Sequence, residues 1–452
     1  MSKEKSVRGV PYGSGDLPVF GTADVVIAGA GPGGLGAALA AAWSGASVLV
    51  IEEYGIPGGM ASVGEVNPFM RSHVNGESLD FPVYGQWIEV MQRYLPDCIA
   101  DNINQADVSR RSINKEAAAL AAEDMLLAAG VKILYHHSAV GVETDDDGMI
   151  KSIICHTRGG FGKVCGKCYV DCTGDANLAA MAGVPFEQGD ERGGCQPMTL
   201  CFKVSHVNIP FIIDEAGGKY CDPEWKKRLN ASYVAAQASG RISSPRHNVL
   251  MMPFLIADDN VIHFNTTRVI GYDATCGAEL SAAEIEGRKQ LRELLEWLRT
   301  DIPEFADARL MSMAVQIGIR ESRRICGLYK LVVDDFEKCS RFPDAIARCS
   351  YYIDQHSPWG AGTHIVRLDP GEFYEIPYRS IVPVNKINLT VGGRPICADV
   401  LMHSSLRIMP TAISIGQGAG IAAALAVTKN CTPDKIDGTE VREELKKFGA
   451  RL

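Results

Sequence analysis

Hydrophobic and polar positions near the start of the chain follow a strand-helix-strand pattern. An apolar run, ADVVIAG at 23–29, precedes a glycine-rich turn, an alanine-rich stretch through Trp43, Gly45, and a second apolar run, ASVLVIEE at 46–53. The short apolar runs have the length of buried strands, and the alanine-rich stretch is long enough for a helix. The pattern predicts a β-α-β unit, which is half of a nucleotide-binding fold.

The next segments extend this pattern. KEAAALAAEDMLLAAG at 115–130 has helical spacing and ends on a glycine, and VKILYHHSAV at 131–140 is predicted to form one strand. From about 140 to 172, short strand-like pieces alternate with glycine turns. We expect a second βα unit and then a small β meander that returns to the sheet.

The hydrophobic pattern of the earlier segments changes between about 200 and 375 and returns after that. NVLMMPFL and NVIHFNTTRVI are predicted as isolated strands, and AAEIEGRKQLRELLEWLR as a charged helix. KINLTVGGRPICADV then gives a strand that ends in glycines, followed by an apolar stretch. We expect an α/β protein with a discontinuous Rossmann-like domain at 21–200 and 376–452, an inserted α+β substrate or cap domain at 201–375, and an N-terminal tail at 1–20.

Composition excludes several classes of protein. The chain of 452 residues is 46% hydrophobic, which suffices for two cores, and its net charge of -9 with scattered basic residues disfavours nucleic-acid binding. The first twenty residues lack the apolar core of a signal peptide. The apolar stretch at 409–427 contains a glutamine and three glycines, so we expect a buried helix and no membrane span. Fourteen cysteines without repeated spacing indicate a reducing cytoplasm.

The first glycine turn carries a dinucleotide-binding motif. Gly29, Gly31 and Gly34 have G-x-G-x-x-G spacing between a strand and a helix, and Glu52 ends the next strand. In such a motif the glycines allow a tight turn, close approach of the diphosphate and close helix packing, and the carboxylate accepts ribose hydroxyls. We expect Pro32, Gly33 and Glu53 to contribute to the same site. The motif alone does not distinguish FAD from NAD.

Further motifs resemble a known family. PGGMAS at 57–62, DCTGDA at 171–176 and the glycine-rich C-terminal helix resemble, in the same order, the glutathione-reductase-type FAD fold. Together with QPMTLCF, IGIRESRRI and HSSLRIMPTAISIGQGAG, they resemble a large group of FAD-dependent oxidoreductases with mostly unassigned substrates. That group is related to the flavin-bearing subunit of heterodisulfide reductase. The resemblance covers nearly the whole chain after about residue 20.

The resemblance implies a set of FAD contacts. It implies that the loop at 58–62 runs along the diphosphate and flavin, that Asp175 reaches the ribityl or diphosphate portion, and that the helix from Met409 points its N-terminus at the flavin N1/O2 edge. FAD is expected to be noncovalent, because the loop before Gly58 holds no histidine or cysteine. The further residues expected to bind FAD are Gly58, Gly59, Met60, Ala61, Ser62, Val140, Thr173, Gly174, Asp175, Gly416 and Ala419.

Candidate catalytic residues lie near the predicted flavin and in the inserted segment. They are His403, Arg407, Arg320, Arg268, Tyr378 and Arg379. Because arginine binds carboxylates bidentately, these residues suggest hydride transfer at flavin N5 with a small anionic organic substrate. His403 is the predicted acid or base, and Arg320 or Arg379 is predicted to orient the substrate. Structural ion pairs remain the alternative for each arginine.

Other features leave alternatives open. Cys165, Cys168 and Cys172 resemble part of an iron-sulfur ligand run, but their strand position favours buried thiols, and no metal site is predicted. The histidines at 136 and 137 receive no role. No second glycine fingerprint occurs between 190 and 380, so NAD(P)H could act as a transient donor, or the substrate or a redox partner protein could exchange the electrons. The alternatives are an electron-transfer subunit with an iron-sulfur or thiol/disulfide partner, and a nonenzymatic flavin-binding protein. The sequence identifies neither the substrate nor the oligomeric state.

Overall fold

The computed structural model describes residues 10–13, 15–67, 69–96, 113–213, 219–252 and 260–452. Parts of the predicted tail at 1–20 and of the predicted strand NVLMMPFL lie outside the described residues.

The described residues form ten α-helices and twenty-one strands. The helices are α1 (Pro32–Trp43), α2 (Val83–Met91), α3 (Lys115–Ala128), α4 (Asn177–Met181), α5 (Pro223–Ala238), α6 (Gly277–Asp301), α7 (Val333–Glu337), α8 (Val400–Leu406), α9 (Met409–Lys429) and α10 (Gly438–Lys447). The strands are β1 (Val19–Ala28), β2 (Val48–Glu52), β3 (His73–Val74), β4 (Glu77–Ser78), β5 (Lys132–Tyr135), β6 (Ser138–Thr144), β7 (Ile150–Thr157), β8 (Gly160–Asp171), β9 (Phe186–Gln188), β10 (Phe202–Ser205), β11 (Phe211–Ile213), β12 (Lys219–Cys221), β13 (Met251–Met252), β14 (Ile262–Phe264), β15 (Arg309–Met313), β16 (Arg323–Ile325), β17 (Ala345–Cys349), β18 (Ile353–His356), β19 (Thr363–Val366), β20 (Tyr374–Pro377) and β21 (Leu389–Val391).

The main sheet confirms the predicted α/β class. Its strand order is β5-β2-β1-β8-β7-β6, and β21 pairs with the last residues of β8. The pairs β5-β2, β2-β1, β1-β8 and β8-β21 are parallel, whereas β6, β7 and β8 form the predicted antiparallel meander. The last four residues of β1 and all five residues of β2 are buried, as expected for parallel strands covered on both faces.

One strand prediction was wrong. VKILYHHSAV forms two strands, β5 and β6, because the backbone turns at His136, whose φ is +58°. The break sends the two halves to opposite edges of the sheet, where β5 pairs with β2 and β6 pairs with β7. Only three polar residues, at 136–138, separate the apolar residues of the two strands, and so short an interruption did not reveal the turn.

Helices α1 and α9 pack unusually closely because glycines face each other's backbone. A Cβ on Gly416 would lie 2.0 Å from the carbonyl oxygen of Gly33, and one on Gly420 would lie 2.1 Å from that of Ala37. Within the described part of the chain, α9 is the one helix long and apolar enough to span a membrane, but most of its length is buried inside the protein. The predicted buried helix is therefore observed.

The described residues form two hydrophobic clusters. The second contains buried residues from Met198 to Ile319, contributed by β10, β13, β14, α5 and α6 and by the segments between them. Buried residues from Ile325 to Ile376 belong to the first cluster, together with the main sheet. By packing, the second core is therefore shorter than the predicted 201–375 segment, because β17 and β20 pack toward α9.

Candidate functional site

A deep cleft opens at the carboxyl ends of β1, β2 and β8, where ligands bind in sheets of this kind. Including its opening to solvent, the cleft has a volume of about 1150 Å³. Many residues predicted to bind the cofactor line it, namely Gly29, Gly31, Pro32, Gly33, Glu52, Glu53, Gly59, Met60, Thr173, Gly174 and Asp175.

The glycine turn has the tight backbone and the close contacts that the G-x-G-x-x-G spacing predicts. Gly29 has a φ of +97°, and a Cβ there would lie 2.5 Å from the carbonyl oxygen of Cys172. A Cβ on Gly34 would lie 1.9 Å from the carbonyl oxygen of Gly29, so Gly34 serves the packing of α1 and does not line the cleft. A Cβ on Gly31 would meet no atom closer than 3.8 Å. Gly31 therefore lines the cleft and has room for a Cβ at ordinary contact distance from Gly59.

The N-terminus of α1 points into the same cleft. Gly31 is its N-cap residue and provides no side-chain acceptor for the N–H groups of the first turn. Such free N–H groups, with the positive end of the helix dipole, form an anion-binding site.

Glu52 lies at the end of β2 with its carboxylate in the cleft wall. The carboxylate accepts hydrogen bonds from the backbone N–H groups of Ala30 at 2.7 Å and Tyr54 at 2.9 Å. Burial nevertheless raises the pKa of Glu52 to about 7. The ionised form would gain from further donors, such as a pair of sugar hydroxyls.

The two aspartates of the DCTGDA turn have different roles. Asp171 is buried and accepts hydrogen bonds from Thr173 and from the backbone N–H of Ala179, which fixes the turn. Asp175 lines the cleft, and its Oδ1 accepts hydrogen bonds from Ser322 and Arg394. The polar tip of Asp175 is therefore held in place at the cleft wall.

Sequence reasoning missed the segment at 392–394. Gly392, Gly393 and Arg394 follow β21 and line the cleft opposite the glycine turn. A Cβ on Gly33 would lie 3.0 Å from the Cα of Gly393, so the two turns touch. Nη1 of Arg394 is buried without a hydrogen-bond partner among the described residues. The pair of glycines directly after β21 was the feature of the sequence that could have revealed this segment.

Several residues predicted to bind the cofactor do not line the cleft and instead make contacts within the surrounding structure. Of these, Gly58 bonds through its N–H to the carbonyl of Ala30 at 2.8 Å, and Ser62 donates to the carbonyl of Pro57 at 2.5 Å. Ala61 is fully buried. Gly416 packs on Gly33 as described above, and the carbonyl of Ala419 accepts a bond from Thr390.

The prediction of Val140 was wrong by one residue. Its side chain is 48% exposed, whereas its neighbour Ala139 and also His137 line the cleft. Adjacent strand residues point to opposite faces, so a shift of one position exchanges the inside for the outside. His137, which received no role from the sequence, therefore belongs to the site.

The first turn of α9 forms one end of the cleft. Met409 and Ala412 line it, with Ile319 and Arg407 beside them, and this set is called the α9 end below. Helix α9 has no side-chain cap at its N-terminus. The positive end of its dipole therefore faces the cleft, as the resemblance implies.

Two of the predicted catalytic residues lie at the α9 end. Arg407 lines the cleft, donates to the backbone carbonyl of Asp354 at 3.1 Å, and has a buried Nε without a partner among the described residues. Arg320 follows the cleft-lining Ile319 and donates to the carbonyl of Pro197 and to Thr199. Burial and the nearby charge of Arg407 lower the pKa of Arg320 to about 9.

Three other predicted catalytic residues have structural roles. Arg268 donates to the carbonyls of Ser357, Gly360 and Gly362 and so fixes that turn. Tyr378 donates to the carbonyl of Pro433 at 2.6 Å, and Arg379 pairs with Asp344 at 2.9 Å. None of the three lines the cleft.

The predicted role of His403 as acid or base is not supported. Its side chain is fully buried in α8 and does not line the cleft. Burial and the charges of Arg324, Arg407 and Arg394 lower the pKa of His403 well below its usual value. The ring is therefore neutral at physiological pH and has no proton to donate as an imidazolium.

The cysteines near β8 do not converge in the described residues. Cys165 is half-buried on the strand, and Cys168 and Cys172 are buried. Burial raises the pKa of Cys168 to about 12, so this thiol stays protonated. Across the described ranges, no group of three or more metal-ligating side chains is found.

Comparison with known proteins extends these observations. The parallel sheet, the glycine turn and the acidic end of β2 define a dinucleotide-binding α/β protein. The sequence model of the FAD dependent oxidoreductase family matches residues 24–445, and the chain belongs to this family. The protein is thus an FAD-dependent oxidoreductase. No curated protein sequence matches the chain significantly.

Solved structures with a similar course of the chain include a reductase-like protein, a brominase and a monooxygenase. A geranylgeranyl bacteriochlorophyll reductase-like protein from Thermoplasma acidophilum has 13% identity and a TM-score of 0.44, with 94% of this chain and 82% of that chain covered. The flavin-dependent brominase Bmp2 has 13% identity, a TM-score of 0.43 and coverage of 94% and 83%. p-Nitrophenol 4-monooxygenase from Pseudomonas putida DLL-E4 has 11% identity, a TM-score of 0.43 and coverage of 95% and 87%.

The residues of the cleft fit FAD. The free N–H groups at the start of α1 would hold the diphosphate, and the Glu52 carboxylate would accept the adenosine ribose hydroxyls. Asp175 would bind the polar chain of the cofactor. The unpartnered Nη1 of Arg394 offers one more charged donor to an anionic or carbonyl group.

FAD affinity should rise with pH around neutrality. Because the pKa of Glu52 is raised to about 7, part of the population is protonated at pH 7, and ribose hydroxyls that donate to the carboxylate favour its ionised form. FAD binding therefore releases a proton, and affinity should increase by up to about tenfold per pH unit below pH 7 and level off above it. Titrating apoprotein with FAD by flavin fluorescence tests this.

Glu52→Gln is the matched variant for this measurement. It should bind FAD more weakly and lose the slope, because the amide does not titrate. An equal slope in both proteins would show that another group is responsible.

Proposed function

We propose that this enzyme transfers hydride at flavin N5 to or from a small anionic organic molecule bound at the α9 end of the cleft. FAD, when bound, supplies the atom that exchanges the hydride. The observation that carries the proposal is the side chain of Arg407, which lines the cleft and whose Nε is buried without a hydrogen-bond partner among the described residues. A guanidinium in such a position binds and orients a carboxylate.

The surroundings of Arg407 support this role. Asp354 and Gln196 hold its Nη2, so the guanidinium has a fixed direction. The apolar residues Ile319 and Met409 line the same cleft as Arg407. A fixed cation in a site of low polarity attracts an anion more strongly than a solvated one does.

Finer features of the family resemblance remain part of the proposal. We infer a noncovalent FAD, a glutathione-reductase-type domain and a relation to the flavin subunit of heterodisulfide reductase from the motifs at 57–62, 171–176 and 409–427. NAD(P)H as a transient donor, a redox partner protein and a cytoplasmic location stay predictions.

An anaerobic screen tests the proposed function. Small organic acids are mixed with oxidised or chemically reduced holoprotein, and bleaching or reoxidation of the flavin absorbance is followed. We expect at least one carboxylate, and no neutral isostere of it, to react in saturable fashion. Reaction with neutral molecules alone would contradict the proposal.

Arg407→Gln should lower kcat/KM for the reactive acid by about 10- to 100-fold, the effect of losing one charge-assisted hydrogen bond. FAD content should be unchanged. Arg228→Gln, at an exposed position on α5, is the matched control and should react normally. If kcat/KM is unchanged in Arg407→Gln, Arg407 does not bind the anionic group.

A further inference from the structure

A second cavity adjoins the cofactor cleft, between the loop after β2 and the first turn of α6. Including its opening to solvent, this cavity has a volume of about 970 Å³. Its lining includes residues of the segment at 274–284 and Val315. The residues that line both the cleft and the second cavity are Glu53, Tyr54, Asp175, Asn177 and Gln316. These shared residues therefore form the boundary between the two spaces.

One hydrogen bond joins two residues of this boundary. The hydroxyl of Tyr54 donates to Oε1 of Gln316, although the two residues are 262 positions apart in the chain. Burial raises the pKa of Tyr54, so its hydroxyl stays protonated and remains a donor. Because both residues line both spaces, their bond lies where the cleft meets the second cavity. It is called the Tyr54–Gln316 bridge below.

The backbone at both ends of the bridge is held in place. The N–H of Tyr54 donates to the carboxylate of Glu52 at 2.9 Å. On either side of Gln316, the N–H of Val315 donates to the carbonyl of the cleft-lining Val63 at 2.9 Å, and the N–H of Ile317 donates to Glu284 at 2.7 Å. Rotation of the Tyr54 and Gln316 side chains is therefore sufficient to open the bridge, and such rotations are fast.

The second cavity is less negatively charged than its three carboxylates indicate. Asp175 pairs with Arg394 at 2.5 Å, and Glu284 pairs with Arg288 at 2.8 Å. Burial raises the pKa of the third carboxyl group, that of Glu53. The first turn of α6 also borders the cavity, and the positive end of its helix dipole has no side-chain cap. A diphosphate passing through the cavity therefore meets little net repulsion.

We propose that FAD enters and leaves the cleft through the second cavity, and that the Tyr54–Gln316 bridge must open for each passage. A bond that breaks for passage in both directions slows association and dissociation by the same factor and leaves the equilibrium unchanged. The bridge thus prolongs the residence of FAD without increasing its affinity. This gating of the cofactor is separate from the substrate binding proposed for Arg407.

The rates of FAD exchange test the bridge. Tyr54→Phe and Gln316→Met each remove the bond and nearly keep the size of the side chain. Each should raise kon and koff by about 3- to 10-fold and change Kd by less than about twofold, because one net hydrogen bond is lost. The double variant should match the single ones, since all three lack the same bond. Stopped-flow flavin fluorescence of apoprotein mixed with FAD gives kon, and exchange of the holoprotein's FAD for excess isotopically labelled FAD gives koff.

Ser281→Trp tests the route through the second cavity. Ser281 is exposed on α6 and lines the second cavity but not the cleft. The indole should slow both rates by the same factor and leave Kd unchanged, because it narrows the passage away from the FAD site. Ser281→Ala is the matched control. Tyr94→Phe, which loses a tyrosine hydrogen bond to Asp124 and lines neither space, should exchange FAD like the wild-type protein.

Three results would overturn this proposal. If Tyr54→Phe raises koff and Kd together at constant kon, Tyr54 binds FAD directly and does not gate it. If Tyr54→Phe and Gln316→Met exchange FAD at the wild-type rates, the bridge has no role in exchange. If Ser281→Trp leaves both rates unchanged, FAD uses another opening. None of these results affects the proposed function, which is tested by the reaction of the holoprotein with organic acids.

Discussion

Gly31→Ala should give a folded protein that retains little FAD. The new methyl group would meet no protein atom closer than 3.8 Å, so the fold has room for it, but it would occupy the cleft in front of the free N–H groups of α1. Loss of two charge-assisted hydrogen bonds at about 1.5–3 kcal/mol each weakens binding by at least about 100-fold. The flavin content of purified protein and the Kd of added FAD measure the effect.

Gly34→Ala is the matched comparison, three residues along the same turn. Its methyl group would lie 1.9 Å from the carbonyl oxygen of Gly29, so the turn and α1 could not keep their positions. We expect a loss of at least about 3 kcal/mol in stability or no soluble protein. Normal FAD content in Gly31→Ala, or equal stability of both variants, would contradict this prediction, in which Gly31 serves FAD binding and Gly34 serves the packing of α1.

Glu65→Gln should destabilise the protein by about 3–5 kcal/mol, which is the usual result of removing one partner of a buried ion pair. Glu65 is fully buried, and its carboxylate lies 2.5 Å from Nζ of Lys115 and 3.6 Å from Nζ of Lys203. Lys203 is 3% exposed and would keep its charge without a counterion. Urea unfolding of the holoprotein measures the change.

Two further variants make this prediction specific. Glu191→Gln removes an exposed carboxylate and should alter stability by less than about 0.5 kcal/mol. Glu65→Gln combined with Lys203→Met removes both members of the pair and should recover much of the loss. If Glu65→Gln behaved like Glu191→Gln, the network of Glu65 would have no energetic importance.

The sequence predicted the parts of the site that are determined locally. Gly29, Gly31 and Glu52 belong to one strand-turn-helix-strand unit, so their spacing alone places them around the same cleft. Arg394 could not be placed in this way, because its partner Asp175 is 219 residues away and the two meet only through the return of β21 to the sheet.

The errors have physical causes of the same kind. His403 is close in sequence to α9, but the packing of α8 turns its ring into the core. Val140 does not line the cleft because successive residues of a strand point to opposite faces of the sheet. Residues 325–376 have the irregular pattern expected of the inserted segment but pack in the first cluster, and no local signal reveals which core a short strand will join.

The contact between Gly416 and Gly33 has a consequence for biosynthesis. The glycine turn that would receive the diphosphate packs against a helix, α9, that is synthesised much later than the turn itself. Until α9 has left the ribosome, the turn lacks this support, so the nascent chain has no finished site for its cofactor. FAD incorporation is therefore expected to follow the synthesis of α9, at a time when free cofactor must be available.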